Sequence, residues 1–178
     1  MKRLPEDHAP RSALFLNSQI REWIHLLKFS RLVGRSDFNR LRFLAAREIP
    51  LIETDFDAVV AIPSHPLRSL LQVDLSWEWA RCVAEASKRP LQRESLKHAS
   101  LAYAFLRSPQ KNLSPAERWS HFEDPKRQTR YASPSGLPPQ RILLVDDVLN
   151  TGCSFLEARE ALEKAGHRVV AGLVLART

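Results

Sequence analysis

Apolar residues recur at helical spacing through residues 13–30 (ALFLNSQIREWIHLLKFS), where Ile20, Trp23, Ile24, Leu27 and Phe29 fall on one side. This spacing of three and four predicts an amphipathic helix. A second helix is expected after Ser36, a suitable N-cap, with Phe38, Leu41, Leu44 and Ala45 on its inner face. Asp57 to Ile62 (DAVVAI) is a short apolar run stopped by Pro63 and Pro66, the pattern of a buried strand. A third helix is predicted from about Leu75 to Ser87, with Trp79, Cys82, Val83 and Ala86 inward.

The C-terminal pattern is the clearest. Ile142 to Val145 is continuously apolar, as expected of a parallel strand covered on both faces. Ser154 to Ala165 reads as a helix with Phe155, Ala158, Ala161 and Leu162 on one face and Gly166 closing it, and Val169 to Leu175 reads as a further strand. A strand–loop–helix–strand unit implies an α/β fold, a mainly parallel sheet flanked by helices. Between these regions the pattern says less. Leu91 to Leu106 fits a strand or a helix, and the periodicity does not choose. Ser114-Pro115-Ala116-Glu117 has the form of a capping box, and Asp124 to Gln140 has the composition of an exposed loop. A connection this long in a compact domain is usually functional or mobile.

Composition narrows the class. A chain of 178 residues fits one domain (1–178), with a helical N-terminal segment over 1–50 and an α/β core over 51–178. Hydrophobic residues make up 44% and charged residues 26%, which excludes a disordered or fibrous protein. Two distant cysteines, Cys82 and Cys153, cannot supply the roughly four clustered ligands of a structural zinc site. With no secretory signal they are expected as reduced thiols. No apolar run approaches the roughly 18–20 residues of a membrane span, so no membrane association and a cytoplasmic location are expected. The net charge of +7 is concentrated in residues 1–50 and 88–130. Such a surface suits nucleic acid or a polyanionic small molecule, but a solvated basic face fits equally well.

Candidate chemistry lies after the buried strand. In open α/β sheets ligands collect beyond the carboxyl ends of the strands, where Asp146 and Asp147 fall. Adjacent carboxylates repel unless sugar hydroxyls, a magnesium ion or a nearby cation satisfies them. Next come Asn150, Thr151, Gly152, Cys153 and Ser154, leading into a helix. Gly152 permits a tight turn and close approach of a ligand. The free amides of the first helical turn, at the positive end of the dipole, make a phosphate cradle. Carboxylates for a ribose beside amides for a phosphate describe a ribose 5-phosphate site. Each feature alone is more often a plain helix-capping turn or a common Gly/Ser/Thr loop; the combination in this order is specific. A phospho-receiver domain also pairs acids after a strand, but it needs an acceptor Asp downstream. Only 31 residues follow Asp147, and none is an Asp. His65, between prolines, suits a phosphate contact or plain exposure equally. Trp77, Trp79 and Trp119 could stack a base, but at helical positions tryptophan is more often core.

Arg141 to Ser154 (RILLVDDVLNTGCS) resembles the phosphoribosyl-pyrophosphate (PRPP) signature of type I phosphoribosyltransferases, and within them the ComF family of competence-associated proteins. The likeness extends to Ile24–Phe29, with its Lys28 and following aromatic, to Ala58–Pro66, to Gln110, Leu113 and Arg118, and to the Ala176-Arg177 ending. It implies a type I phosphoribosyltransferase-like fold that binds PRPP or another ribose 5-phosphate compound together with Mg2+ carried by the ligand. Phosphoribosyl transfer to a nitrogen acceptor is the implied activity. Asp146 and Asp147 would contact the ribose hydroxyls, Asn150 to Ser154 the 5-phosphate, and Ser64, His65 and Arg68 the pyrophosphate. No metal ligand from the protein is implied. The chain departs from the family in lacking the four-cysteine segment, in Leu71–Leu75 replacing an Arg-Gly-Phe-Asn-Gln stretch, in His121 and in Asn150. The alternative implied is a DNA-uptake accessory protein with a vestigial site that binds single-stranded nucleic acid or protein partners. A PRPP-sensing regulator ranks last, because no helix-turn-helix is evident.

Overall fold

The computed structural model describes residues 10–29, 32–64, 72–99, 114–124, 129–134 and 136–177. Four strands form one sheet: β1 (Arg11–Phe15), β2 (Ala58–Ala61), β5 (Arg141–Leu149) and β6 (Arg168–Arg177). Their order is β1-β6-β5-β2, and every pairing in this sheet is parallel. A second, two-stranded antiparallel sheet joins β3 (Lys97–His98) to β4 (Tyr131–Ala132). The helices are α1 (Ser18–Phe29), α2 (Arg35–Glu48), α3 (Leu75–Ser87), α4 (Pro115–Glu123) and α5 (Cys153–Lys164). The architecture is therefore α/β, with a mainly parallel sheet flanked by helices.

Alternation along β5 divides the core in two. Leu143 and Val145 face a cluster built from α1, α2 and α3, including Ile24, Leu27, Leu41, Leu44, Trp79 and Val83. Ile142 and Leu144 face the opposite cluster, in which Phe155, Ala158 and Leu162 of α5 meet Tyr131 and Leu96. Covering both faces explains why β5 carries four consecutive buried apolar residues instead of an alternating pattern. On the first face Trp79 is fully buried, so it serves the core and cannot stack a base. On the second, α5 packs so closely on β6 that a Cβ at Gly172 would collide with the Phe155 ring and with Pro10.

Several boundaries differ from the sequence pattern. Residues 11–15 form a strand, and the helix begins only at Ser18, where the Asn17 side chain accepts from the Ile20 amide at 2.8 Å. The apolar stretch Ala13-Leu14-Phe15-Leu16 pairs with β6, a partner more than 150 residues away, and this distant ladder overrides the local helical reading. Phe29 is half exposed and does not join the inner face. Gly34, not Ser36, is the N-cap of α2. The Ser114 capping box is present, with the Glu117 carboxylate accepting from the Ser114 amide at 2.6 Å. Within the stretch read as an exposed loop, Tyr131 is buried, and Arg130 meets the buried Glu157 at 2.6 Å. In the undecided region Leu91 bridges Val59 and Lys97–His98 forms β3; residues 100–106 lie outside the described residues.

Candidate functional site

All four strands of the main sheet point the same way, so their carboxyl ends share one rim. Asp146 and Asp147 lie near that rim but inside β5, which continues to Leu149. The acids were expected just after the strand; instead β6 extends beside them, with Asp146 opposite Val174 and Val148 opposite Ala176. The ladder is made by the backbone, so polar side chains do not end it. On the other side the Ile62 amide donates to the Val145 carbonyl at 2.8 Å, carrying Pro63 and Ser64 alongside the acids.

Each acid has its own partners. Asp147 Oδ2 lies 2.7 Å from Lys28 Nζ, on the last turn of α1. Asp146 Oδ1 accepts from Ser76 Oγ at 2.8 Å and from the Asp147 amide at 2.8 Å. Burial, and next the neighbouring Asp147 carboxylate, push Asp146 up to about 7; the Ser76 hydroxyl, the Asp147 amide and the Lys28 charge oppose that rise. Two adjacent acids thus stand in unlike environments.

The first turn of α3 ties this rim together. Asp74 caps the helix, accepting from the Trp77 amide at 3.2 Å, and also accepts from Ser64 Oγ at 2.7 Å. Two residues on, Ser76 holds Asp146. His98 Nε2 lies 2.8 Å from the Ser64 carbonyl oxygen, which only accepts, so Nε2 carries the proton. His65 and Arg68, the other residues expected on the pyrophosphate side, lie outside the described residues.

Beyond β5 the chain turns through Asn150 and Thr151 to Gly152, which takes the left-handed conformation (φ 81°) and opens α5. This helix starts one residue earlier than expected, at Cys153, and no side chain caps it. Asn150 is exposed, Thr151 and Ser154 are half-buried, and Gly152 and Cys153 are buried. Thr151 hydrogen-bonds the Cys153 thiol, whose pKa burial raises. Ser154 hydrogen-bonds the Tyr131 phenol, whose pKa burial also raises. A buried thiol of raised pKa is a poor nucleophile, so Cys153 serves the turn by shape.

Both acids already have partners within the chain. Lys28 already neutralises Asp147, and Ser76 with the Asp147 amide satisfies Asp146. Among the described residues no cluster of three metal-ligating side chains occurs. Of the basic N-terminal residues, Arg11 and Arg47 pair with Glu48, and Arg42 pairs with Glu85. Among the described residues no helix is long and apolar enough to cross a membrane. A cleft lined by Arg93, Glu94, Leu137 and Gln140 lies by the amino end of β5, away from the acids.

Local sequence patterns do not single out Ser76 or Asp74, and Lys28 stands out only through the family resemblance. Nothing local marks a serine in a helix as a partner for a carboxylate 70 positions away. Two adjacent acids without a nearby base in sequence were the available signal that a cation must arrive from elsewhere.

No protein-family model matches the chain, and no curated protein matches it in sequence. Among solved structures it is similar to adenine phosphoribosyltransferase from Leishmania tarentolae, at 12% identity over 95% of this chain and 92% of that one, TM-score 0.49. It is similar to a purine phosphoribosyltransferase from Pyrococcus horikoshii, at 15% identity over 84% and 88%, TM-score 0.42. Similarity to Leishmania donovani UMP synthase, at 18% identity and TM-score 0.43, covers 90% of this chain but only 32% of that one. Superpositions this loose carry no inference about substrate or activity.

Proposed function

We propose that the chain is a type I phosphoribosyltransferase-like protein that binds PRPP, or a related ribose 5-phosphate compound, at the carboxyl rim of its sheet. The observation that carries this reading is the adjacency of Asp146 and Asp147 to the uncapped, Gly152-led start of α5. Amides of the first turn of α5 would hold the 5-phosphate, where unpaired donors and the helix dipole favour an anion. The acids would accept from the ribose hydroxyls, and Ser64 would face the pyrophosphate. Magnesium would come with the ligand's phosphates, where it neutralises charge.

Transfer to a nitrogen acceptor follows if the ligand's C1–pyrophosphate bond breaks in this setting, a step to which the chain contributes position and electrostatics. Titration of PRPP with and without Mg2+ by calorimetry tests the binding reading. Saturable heat that the paired Asp146→Asn, Asp147→Asn variant abolishes is the expected result. No heat at millimolar ligand, from protein shown to be folded, defeats it.

A further inference from the structure

We propose that Lys28 is the resident counter-cation of Asp147, a positioning residue that takes the place of a divalent ion at that carboxylate and leaves its second oxygen free for a sugar. The idea deepens the reading above, yet its central test needs no sugar phosphate.

The geometry carries it. The 2.7 Å contact between Lys28 Nζ and Asp147 Oδ2 is partly shielded from water, with the two side chains 21% and 15% exposed. An ion pair so placed is screened far less than one at the surface. The ammonium is also held in position. Ile24 and Leu27, one turn and one residue before it, are buried in the core, so α1 cannot slide without exposing them. Lys28 stands in the last turn of α1, where the helix dipole favours a cation.

The alternatives for Asp146 and Asp147 are few. Two adjacent carboxylates, half-buried at a sheet rim, need positive charge or donors. A divalent cation is the usual answer, but consecutive residues of β5 point to opposite faces of the sheet, and the ammonium meets Asp147 alone. Here the pair is already satisfied: Lys28 serves Asp147, while Ser76 and the Asp147 amide serve Asp146. A carboxylate has about four lone-pair sites. Asp147 Oδ1 therefore keeps its capacity to accept from a ribose hydroxyl while Oδ2 stays on Lys28. Magnesium is then left to the phosphates of the ligand.

The consequence is a protein whose Asp147 carboxylate ignores free divalent ions until Lys28 is removed. Mn2+ titrated alone onto the ligand-free protein, followed by electron paramagnetic resonance and by thermal shift, tests this. Wild type is expected to show no saturable Mn2+ site that Asp147→Asn removes. Lys28→Met is expected to gain one, with affinity raised roughly tenfold or more, since one charge at contact distance outweighs that factor. Lys28→Arg should restore the wild-type silence, and Asp147→Asn added to Lys28→Met should abolish the gain. Mn2+ bound by wild type as tightly as by Lys28→Met, or no gain in folded Lys28→Met, overturns the proposal. Should Lys28→Met fail to fold, Lys28→Gln replaces it, and the wild-type titration decides independently. Failure of PRPP to bind would defeat the earlier reading while leaving every arm of this experiment standing.

Discussion

Ser76, in the first turn of α3, donates its hydroxyl to the carboxylate of Asp146 on β5 at 2.8 Å, and the same oxygen accepts from the Asp147 amide at 3.2 Å. One buried hydroxyl therefore bonds both members of the acid pair, one through its side chain and the other through its backbone. Replacing it with Ala leaves a desolvated carboxylate short of a partner. Ser76→Ala is expected to lower stability by about 1–3 kcal/mol, measured by urea denaturation. A loss below the error of the extrapolation would mean that water takes the hydroxyl's place.

Asp146 should make stability depend on pH. Its folded pKa, about 7, lies above the ordinary 3.8. A raised acid favours the fold while it keeps its proton; that contribution is complete below about 3.8 and is lost as pH rises through about 7. Asp146→Asn carries no such dependence. Its melting temperature minus that of wild type is expected to climb between pH 4 and pH 8. A difference that stays flat across this window would place the carboxylate in a wetter setting.

His167 should act at the opposite end of the sheet and with the opposite sign. It is 4% exposed, and neither ring nitrogen has a partner among the described residues. Burial lowers its pKa below 6.5, so the folded protein refuses a proton that the unfolded chain accepts. Stability present above about 6.5 is expected to fall as pH drops below it. His167→Phe should flatten that acid limb in thermal melts at pH 5 to 7 while ligand affinity holds. An unchanged limb would assign the acid sensitivity to other groups.

Gly152→Ala tests the turn. At φ 81° a side chain meets its own carbonyl, a strain of about 1–2 kcal/mol. The variant is expected to lose about that much stability in urea denaturation and to lose ribose 5-phosphate affinity, read by calorimetry. Strain without loss of affinity would show that a ligand does not approach the backbone here.

The sequence made β5, α5 and β6 legible because their pattern is local: an apolar run, a turn, then helical spacing. It misplaced β1 because Ala13 and Leu14 look alike in a helix or a strand, and only pairing with β6 decides between them. The ends of β5 were misjudged for a related reason: Asp146 and Asp147 look like a strand's end, while their backbone follows Val174 and Ala176. Of the candidate site, the acids and the Gly152 turn could be read directly. Lys28, Asp74 and Ser76 could not, since each joins the site by a contact that only the assembled sheet and helices create. Arg130 and Tyr131 were hidden by polar, proline-rich neighbours that resemble a loop.

The pairing of β1 with β6 also sets an order of assembly. Residues 11–15 hydrogen-bond to residues 173–177, so the earliest strand has no seat until the latest one has been synthesised. On a ribosome residues 11–15 must wait, with Ala13 uncovered, until residues 173–177 have emerged. Closure of so long a loop makes this ladder a late, slow event in folding.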